Sequence, residues 1–455
     1  MNEQPVFEIG RHEYDGQTYL NPLGFIAMIV LGMAMLIVPR RYAVWPIIIM
    51  GCFVSPAQRI AVFTLNFDLL RIMVIFGTLR ILSRNEWRNF IWRGIDTVLV
   101  AFAVVSTVIY ILQYGTLDAV KIKLGVMYDI LGMYFLFRCL IRDLEDVARA
   151  AVGFAIVSIP LALAFMIEHA SGRNLFAIFG GVTEFTAVRE GRLRCQGAYS
   201  HPILAGCYWA SVLPLMAALW WRKGNQRWIG FVGVACGLVI IILCASSTPI
   251  LGVGFGIVGA VFFKLRRHMR IVRWTILGTL VSLHMVMQAP VWHLIARFDM
   301  AGGSTSWYRY NVINLFITHF NEWWLLGVKN VAIWGLVNGD IPNQYFLEAA
   351  RGGIWALILL LLLIAKAFSG VGKLWRHEAR NKSNLILSWA LGVALLIHCM
   401  NFIGIGYFGQ INTVWYLTLA VSASLFPAVR RKPVARRIPE RASFGAVIVR
   451  RGANA

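Results

Sequence analysis

The chain has 455 residues, of which 59% are hydrophobic and 14% charged, with a formal net charge of +22. Soluble domains carry about 25% charged residues, so a water-soluble globular enzyme is excluded. Nucleic-acid binding is excluded as well: the basic residues fall in short loops and in the C-terminal tail, and no basic soluble domain is present.

In chain order, residues 1–17 are polar and mildly acidic, without the basic-then-apolar pattern of a cleavable signal. Apolar runs near the length of a membrane crossing follow. They predict spans over 21–38, 42–56, 61–79, 97–114, 120–138, 147–168, 202–220, 228–246, 249–264, 273–289, 347–368, 384–405 and 409–427. The second run is short and holds Pro46, which suits a re-entrant segment or part of a broken helix. The alternation expected of barrel strands is absent. The expected fold is an all-α polytopic membrane protein with about 12–13 transmembrane helices in one membrane domain, 1–427.

Lys and Arg in short loops set orientation. Arg40 and Arg41, then Arg80, Arg84, Arg88 and Arg93, mark the first two inner loops. Arg222, Lys223 and Arg227, the 264–273 cluster, and Lys373, Arg376, Arg380 and Lys382 mark the later ones. All fall on the cytoplasmic side if the spans alternate. The basic tail, 428–455, joins that side and is expected to be disordered on anionic lipid.

Two long loops, about 170–201 and 290–346, then face outward. The first holds Arg173, Arg189, Arg192 and Arg194 against Glu184 and Glu190, and ends at His201-Pro202. Cationic residues are normally depleted on that side. Guanidinium groups form forked hydrogen bonds to phosphate oxygens, so a cluster there suits a lipid-linked phosphate or diphosphate. Headgroup contact beside local Glu partners is the plainer alternative, and His201 reads first as a helix cap. The second loop is rich in Trp, and WYRYNVINLFITHFNEWWLL has helical spacing, which predicts an amphipathic interfacial helix. Arg309 lies there between Tyr308 and Tyr310. The loop closes on DIPNQYFLEAARGGIWAL, with Asn343, Glu348 and Arg351 at the mouth of the next span. Asp340 and Glu348 are the nearby carboxylates able to serve as a base.

Within spans, Asp68, Arg71, Asp129 and His398 are ionisable; Asp68 and Arg71 are spaced to pair on one helix face. Lys121 and Lys123, near the outer end of the fifth span, extend the basic outer surface. Ser246, Ser247, Thr248 and Pro249 form a tight outer turn. The seven cysteines are scattered without metal-ligand spacing. No phosphate-binding loop, GxSxG or HExxH motif is present, so neither ATP use nor zinc chemistry is indicated, and no metal or cofactor is expected.

Three segments together resemble the bacterial O-antigen ligase and O-antigen polymerase superfamily of polysaccharide-assembly membrane proteins. RLRCQGAYSHPILAG resembles its Arg-x-x-Gly-x-x-x-x-Pro-x-x-x-Gly-type element ahead of a span. YRYNVINLFITHFNEWWLLGVKN resembles the Tyr-Arg, helix and Leu-Gly-Val-Gly-like turn of its large periplasmic loop. PNQYFLEAARGGIWAL resembles the His/Asp-Asn-x-x-Leu…Gly element that ends that loop. The resemblance implies a GT-C-like fold in the bacterial inner membrane and metal-independent glycosyl transfer at the periplasmic face. The donor would be an oligosaccharide on undecaprenyl pyrophosphate, with membrane lipids and other assembly proteins as partners. Arg194 and Arg309 would hold the diphosphate, supported by Arg189 and Arg192. His201, Tyr308, Asn343, Arg351, Lys121 and Lys123 would contact substrate, and Asp340 or Glu348 would be the base. Ligase members often carry a His where this chain has Pro342, so polymerisation of repeat units is the expected activity. Transfer of finished glycan to a lipid or protein acceptor is the alternative. A transporter or flippase is a third reading, against which the long outer loops and the lack of an internal repeat both weigh.

Overall fold

A computed structural model describes residues 17–62, 65–297 and 305–425. Most of the N-terminal polar stretch and the whole basic tail lie outside these residues. The first half holds α1 (Pro22–Ile37), α2 (Trp45–Phe53), α3 (Leu69–Ser83), α4 (Gly94–Tyr114), α5 (Leu117–Leu140), α6 (Leu144–Ser171) and α7 (Pro202–Ala218). The second half holds α8 (Gln226–Leu243), α9 (Ser247–Val261), α10 (Met269–Val286), α11 (Leu294–Arg297), α12 (Thr305–Thr318), α13 (Phe320–Trp323), α14 (Gln344–His377), α15 (Lys382–Gly404) and α16 (Ile411–Ser424). Two antiparallel hairpins interrupt them: β1 (Arg59–Val62) with β2 (Leu65–Asp68), and β3 (Ala187–Arg189) with β4 (Arg192–Arg194).

Local chemistry sets the helix ends. Side chains of Asn21, Asp68, Thr116 and Asp143 accept from amides of the turns they open. Pro22 and Pro202 stand at first-turn positions that need no amide donor. Gly115 and Gly172 end α4 and α6 in the left-handed region.

Seven helical stretches among the described residues are long and apolar enough to cross a bilayer, which makes the chain an all-α multi-pass membrane protein. One of them joins α9 and α10 through a 3-10 turn. The sequence pattern predicts about thirteen crossings, and several of its other apolar runs form shorter or more charged helices. Helix α1 has 16 residues, about 24 Å, which falls short of the ~30 Å hydrocarbon core. Helix α5 is long enough but carries Asp118, Lys121, Lys123, Asp129 and Arg138. The 42–56 run is helical only over Trp45–Phe53, about 14 Å. It still returns the chain along α1: Trp45 donates to the Arg149 carbonyl at one end, and Arg59 pairs with Tyr19 at the other. The 61–79 run begins as a hairpin, and its helix starts at Leu69.

Helix α7 is the most enclosed span, packed against α8, α9 and α15, with Tyr208 and Trp209 fully buried. Outside it, α6 packs on α8 and α4 on α14. Helix α10 buries none of its residues, and its exposed apolar side chains suit lipid.

Several arginines at one end of the bundle act as clamps. Arg80 pairs with Glu86 at 2.9 Å and donates to the carbonyls of Met35 and Val38. Arg138 meets Asp96 at 3.0 Å, which also accepts from Tyr134. Arg40 ties Asp146 to the Leu140 carbonyl. The Arg80 and Arg40 guanidinium groups satisfy carbonyls left open where helices end.

At the opposite end the second long loop builds a small core of its own. Val312, Phe316, Trp323, Trp334, Leu336 and Leu347 lie in it. Helix α14 is broken at Gly352 and Gly353. The loop after α13 fills the break: Val328 donates to the Ala350 carbonyl and Ile354 donates to that of Trp324, both at 2.8 Å. The first piece of α14, residues 344–351, thus belongs to the outer layer, and the rest belongs to the bundle.

Candidate functional site

Strands β3 and β4 turn through Glu190 and Gly191, at φ 52° and 74°. Both central residues have positive φ, as a two-residue hairpin turn matched to strand twist requires. The register sets Arg189 opposite Arg192 near the exposed tip and Ala187 opposite Arg194 at the base. The three arginines therefore differ: Arg189 and Arg192 are exposed, whereas Arg194 is 9% exposed.

The chain just past Arg194 is pinned on two sides. Glu168, at the end of α6 and 1% exposed, accepts from the amides of Gln196 and Gly197 at 3.0 Å and from the Thr186 hydroxyl at 3.3 Å. The Cys195 amide donates to the Leu243 carbonyl at 3.0 Å, at the end of α8.

Helix α12 buries one face, with Ser306, Arg309, Val312 and Phe316 at helical spacing. Its apolar end joins the outer core. Its polar end reaches the bundle, where Arg309 donates to the Thr248 hydroxyl at 2.7 Å and the Ser247 hydroxyl at 3.4 Å. Gly404, ending α15, leaves the room: a Cβ there would lie 2.8 Å from Thr248 and 3.4 Å from the Arg309 Nε. The two long loops thus meet at one turn, 243–248. The segment bearing Arg194 rests on its first residue and Arg309 on its last two.

The electrostatics favour an anion. Arg194 makes no ion pair among the described residues, and its buried Nε has no hydrogen-bond partner. Burial, then nearby Arg189, lowers its pKa from the usual guanidinium value. His201 caps α7, its Nδ1 accepting from the Ile203 amide at 3.2 Å. Burial, then Arg194 and Arg189, pushes its pKa down to about 4. It is neutral at pH 7, so the positive charge at the site comes from the arginines. The N-termini of α7 and α9 lie at the same place and add positive dipole ends.

The remaining predicted residues divide. Tyr308 donates to the Asp340 carbonyl at 2.9 Å, joining α12 to the exposed Asp340. Burial, then Asp340, pushes the Tyr308 phenol up to about 12. Asn343 caps α14 and donates to the Ile403 carbonyl at 3.5 Å. Glu348 accepts from Gln344 at 2.7 Å. Arg351 stands at the break in α14. Lys121 makes an exposed 3.2 Å pair with Asp118, while Lys123 is buried over the Tyr110 ring. Asp68 and Asp129 form a cluster with Arg71, which meets Asp129 through two 2.7 Å hydrogen bonds.

Two contributors are not singled out by the sequence: Glu168, a lone carboxylate at the end of an apolar run, and Gly404. No local pattern marks either one. An open polar cleft at the opposite end of the bundle is lined by Arg142, Glu145, Arg222 and Glu378, and Glu145 and Arg222 pair with each other. Among the described residues no three His, Cys, Asp or Glu side chains cluster as a metal site requires. No protein-family model matches the chain, and no curated protein is significantly similar to it.

Proposed function

We propose that the protein is a glycosyltransferase using a glycan carried on undecaprenyl pyrophosphate, and that it polymerises repeat units at the outer face of a bacterial inner membrane. One observation carries this reading: Arg194, buried without a carboxylate partner, and Arg309 are brought to the same turn by two separate loops. That turn lies at the end of the bundle opposite the arginine clamps. Burial of a guanidinium without a counter-charge is costly, and a bound diphosphate supplies the missing charge.

In the proposed reaction an acceptor hydroxyl attacks the anomeric carbon as its bond to the diphosphate oxygen breaks. The leaving diphosphate takes the bonding electron pair, and the two guanidinium groups stabilise the charge that develops on it. The hydroxyl proton passes to a carboxylate. Asp340 is favoured over Glu348 because it is joined to α12 through Tyr308, whereas Glu348 is held by Gln344.

Carrier-linked glycans from a deletion strain test the reading. Single repeats left on the carrier are expected. Full-length glycan on the carrier identifies a ligase instead, and unchanged long chains on their normal acceptor overturn both.

A further inference from the structure

At the far end of α7 from His201 the chain turns into α8 through exposed residues. The helical stretch Pro202–Trp221 has 20 residues and is about 30 Å long. This turn and the arginine site therefore stand at opposite ends of one bilayer crossing. Trp220 lies in the 3-10 turn that ends the stretch, and Trp228 lies in the first turn of α8. Their rings meet edge to face with centroids 5.9 Å apart, and both are exposed. Phe231, also exposed, lies 6.2 Å from Trp220 and 6.4 Å from Trp228.

This aromatic pair holds Arg227. The guanidinium carbon stands 4.8 Å from the Trp220 ring centroid and 5.0 Å from that of Trp228. Contact with two rings orders the planar fork, while the residue stays exposed. Among the described residues Arg227 makes no ion pair and no hydrogen bond, and neither does the exposed Lys223 in the same turn. Arg222 differs: it pairs with Glu145 at 3.0 Å and donates to the Leu144 carbonyl at 3.3 Å. Residues 218–232 contain no Asp or Glu, so the charge of Lys223 and Arg227 is unmet locally. A belt of indoles at a membrane surface accounts for the exposed rings. It leaves unexplained a guanidinium ordered between two of them whose donors have no acceptor. A headgroup phosphate supplies both the acceptor oxygens and the negative charge, and the exposed rings suit the apolar part of the same molecule.

We propose that the α7–α8 turn is a binding site for an anionic phospholipid. Arg227 and Lys223 meet the headgroup phosphate, and Trp220, Trp228 and Phe231 contact the glycerol and the start of the acyl chains. The site is about 30 Å along α7 from the two-arginine turn and does not depend on the proposed reaction.

The test uses native mass spectrometry of the detergent-solubilised full-length protein, titrated with phosphatidylglycerol, phosphatidylcholine or inorganic phosphate. Phosphatidylglycerol is expected to bind at least about tenfold more tightly than phosphatidylcholine. Lys223→Gln combined with Arg227→Gln should abolish that preference. Both residues are exposed, so the melting temperature in phosphatidylcholine nanodiscs should match wild type. Arg227→Lys keeps the charge but loses the stacked fork and should weaken the preference. Arg380→Gln combined with Lys382→Gln removes the same charge from another exposed loop and should leave the preference intact. Equal binding of the two lipids overturns the proposal, as does a preference that survives in the Lys223 and Arg227 double variant. An equal loss in the Arg380 and Lys382 double variant also overturns it, since the effect is then one of overall charge. Displacement of phosphatidylglycerol by an equal concentration of inorganic phosphate overturns it as well, because the turn is then a bare anion site.

Discussion

The Arg309 guanidinium donates to the Thr248 hydroxyl at 2.7 Å across 61 residues of chain. This contact docks the outer helix on the first turn of a bundle helix. It also places a forked cation beside the segment that bears Arg194.

Lysine should fail at both arginine positions. Arg309→Lys removes the forked donor that spans Ser247 and Thr248, and Arg194→Lys puts a more strongly hydrated point charge in a buried place. Loss of one preorganised donor to a leaving oxyanion costs on the order of 10²-fold in rate. Complementation of a deletion strain, with protein level checked by immunoblot, measures this. Polymerisation retained in both variants removes the two residues from the mechanism. Arg192→Lys, at the exposed hairpin tip, should cost much less.

Glu168 supports folding around the site. Glu168→Ala strands the Gln196 and Gly197 amides in a buried place and should destabilise the protein by about 2–5 kcal/mol. Glu168→Gln keeps one acceptor oxygen and should cost less. Thermal unfolding in nanodiscs, with proteolysis of the β3–β4 segment as a local probe, separates the two. Equal melting of wild type and Glu168→Ala would show that the amides find other partners.

His201 predicts a pH dependence of stability. In the unfolded chain the imidazole takes up its proton near pH 6.5, and in the fold only near pH 4. Between these values the unfolded state binds more protons, so this contribution to stability is present above pH 6.5. It is lost as pH falls from 6.5 towards 4, by up to about 3 kcal/mol. The melting temperature should drop over that window, and less so in His201→Asn, which keeps an acceptor for the α7 cap. Identical pH profiles for the two proteins would contradict the half-buried, neutral imidazole.

The break in α14 should resist side chains. Gly353 has φ 62°, and a Cβ there would lie 2.5 Å from the Leu325 carbonyl oxygen. Gly353→Ala should therefore cost several kcal/mol, beyond the ~1–2 kcal/mol of left-handed strain alone. Gly335 has φ 86° with open space around its Cβ position, so Gly335→Ala should cost only the strain. Melting temperatures of the pair measure the difference. Equal losses would mean that the docked loop yields easily.

Much of this molecule is readable from local pattern. Hydropathy marks an α-helical membrane protein. The helical spacing of 307–326 anticipates α12 but not its end at Thr318, and Pro202 anticipates the start of α7. Such signals are legible because period, capping and charge act within a turn or two of chain. The form of 42–56 was not legible, because an apolar run reads the same whether it is one long helix or a short helix and extended chain. Nor did any pattern separate buried Arg194 from exposed Arg189 and Arg192, since the strand register and the Glu168 anchor decide that. Tertiary packing alone brought Arg309 to Thr248 and Lys329 to Tyr114. Those contacts join segments tens to hundreds of residues apart, and only the way helices stack determines which loops meet.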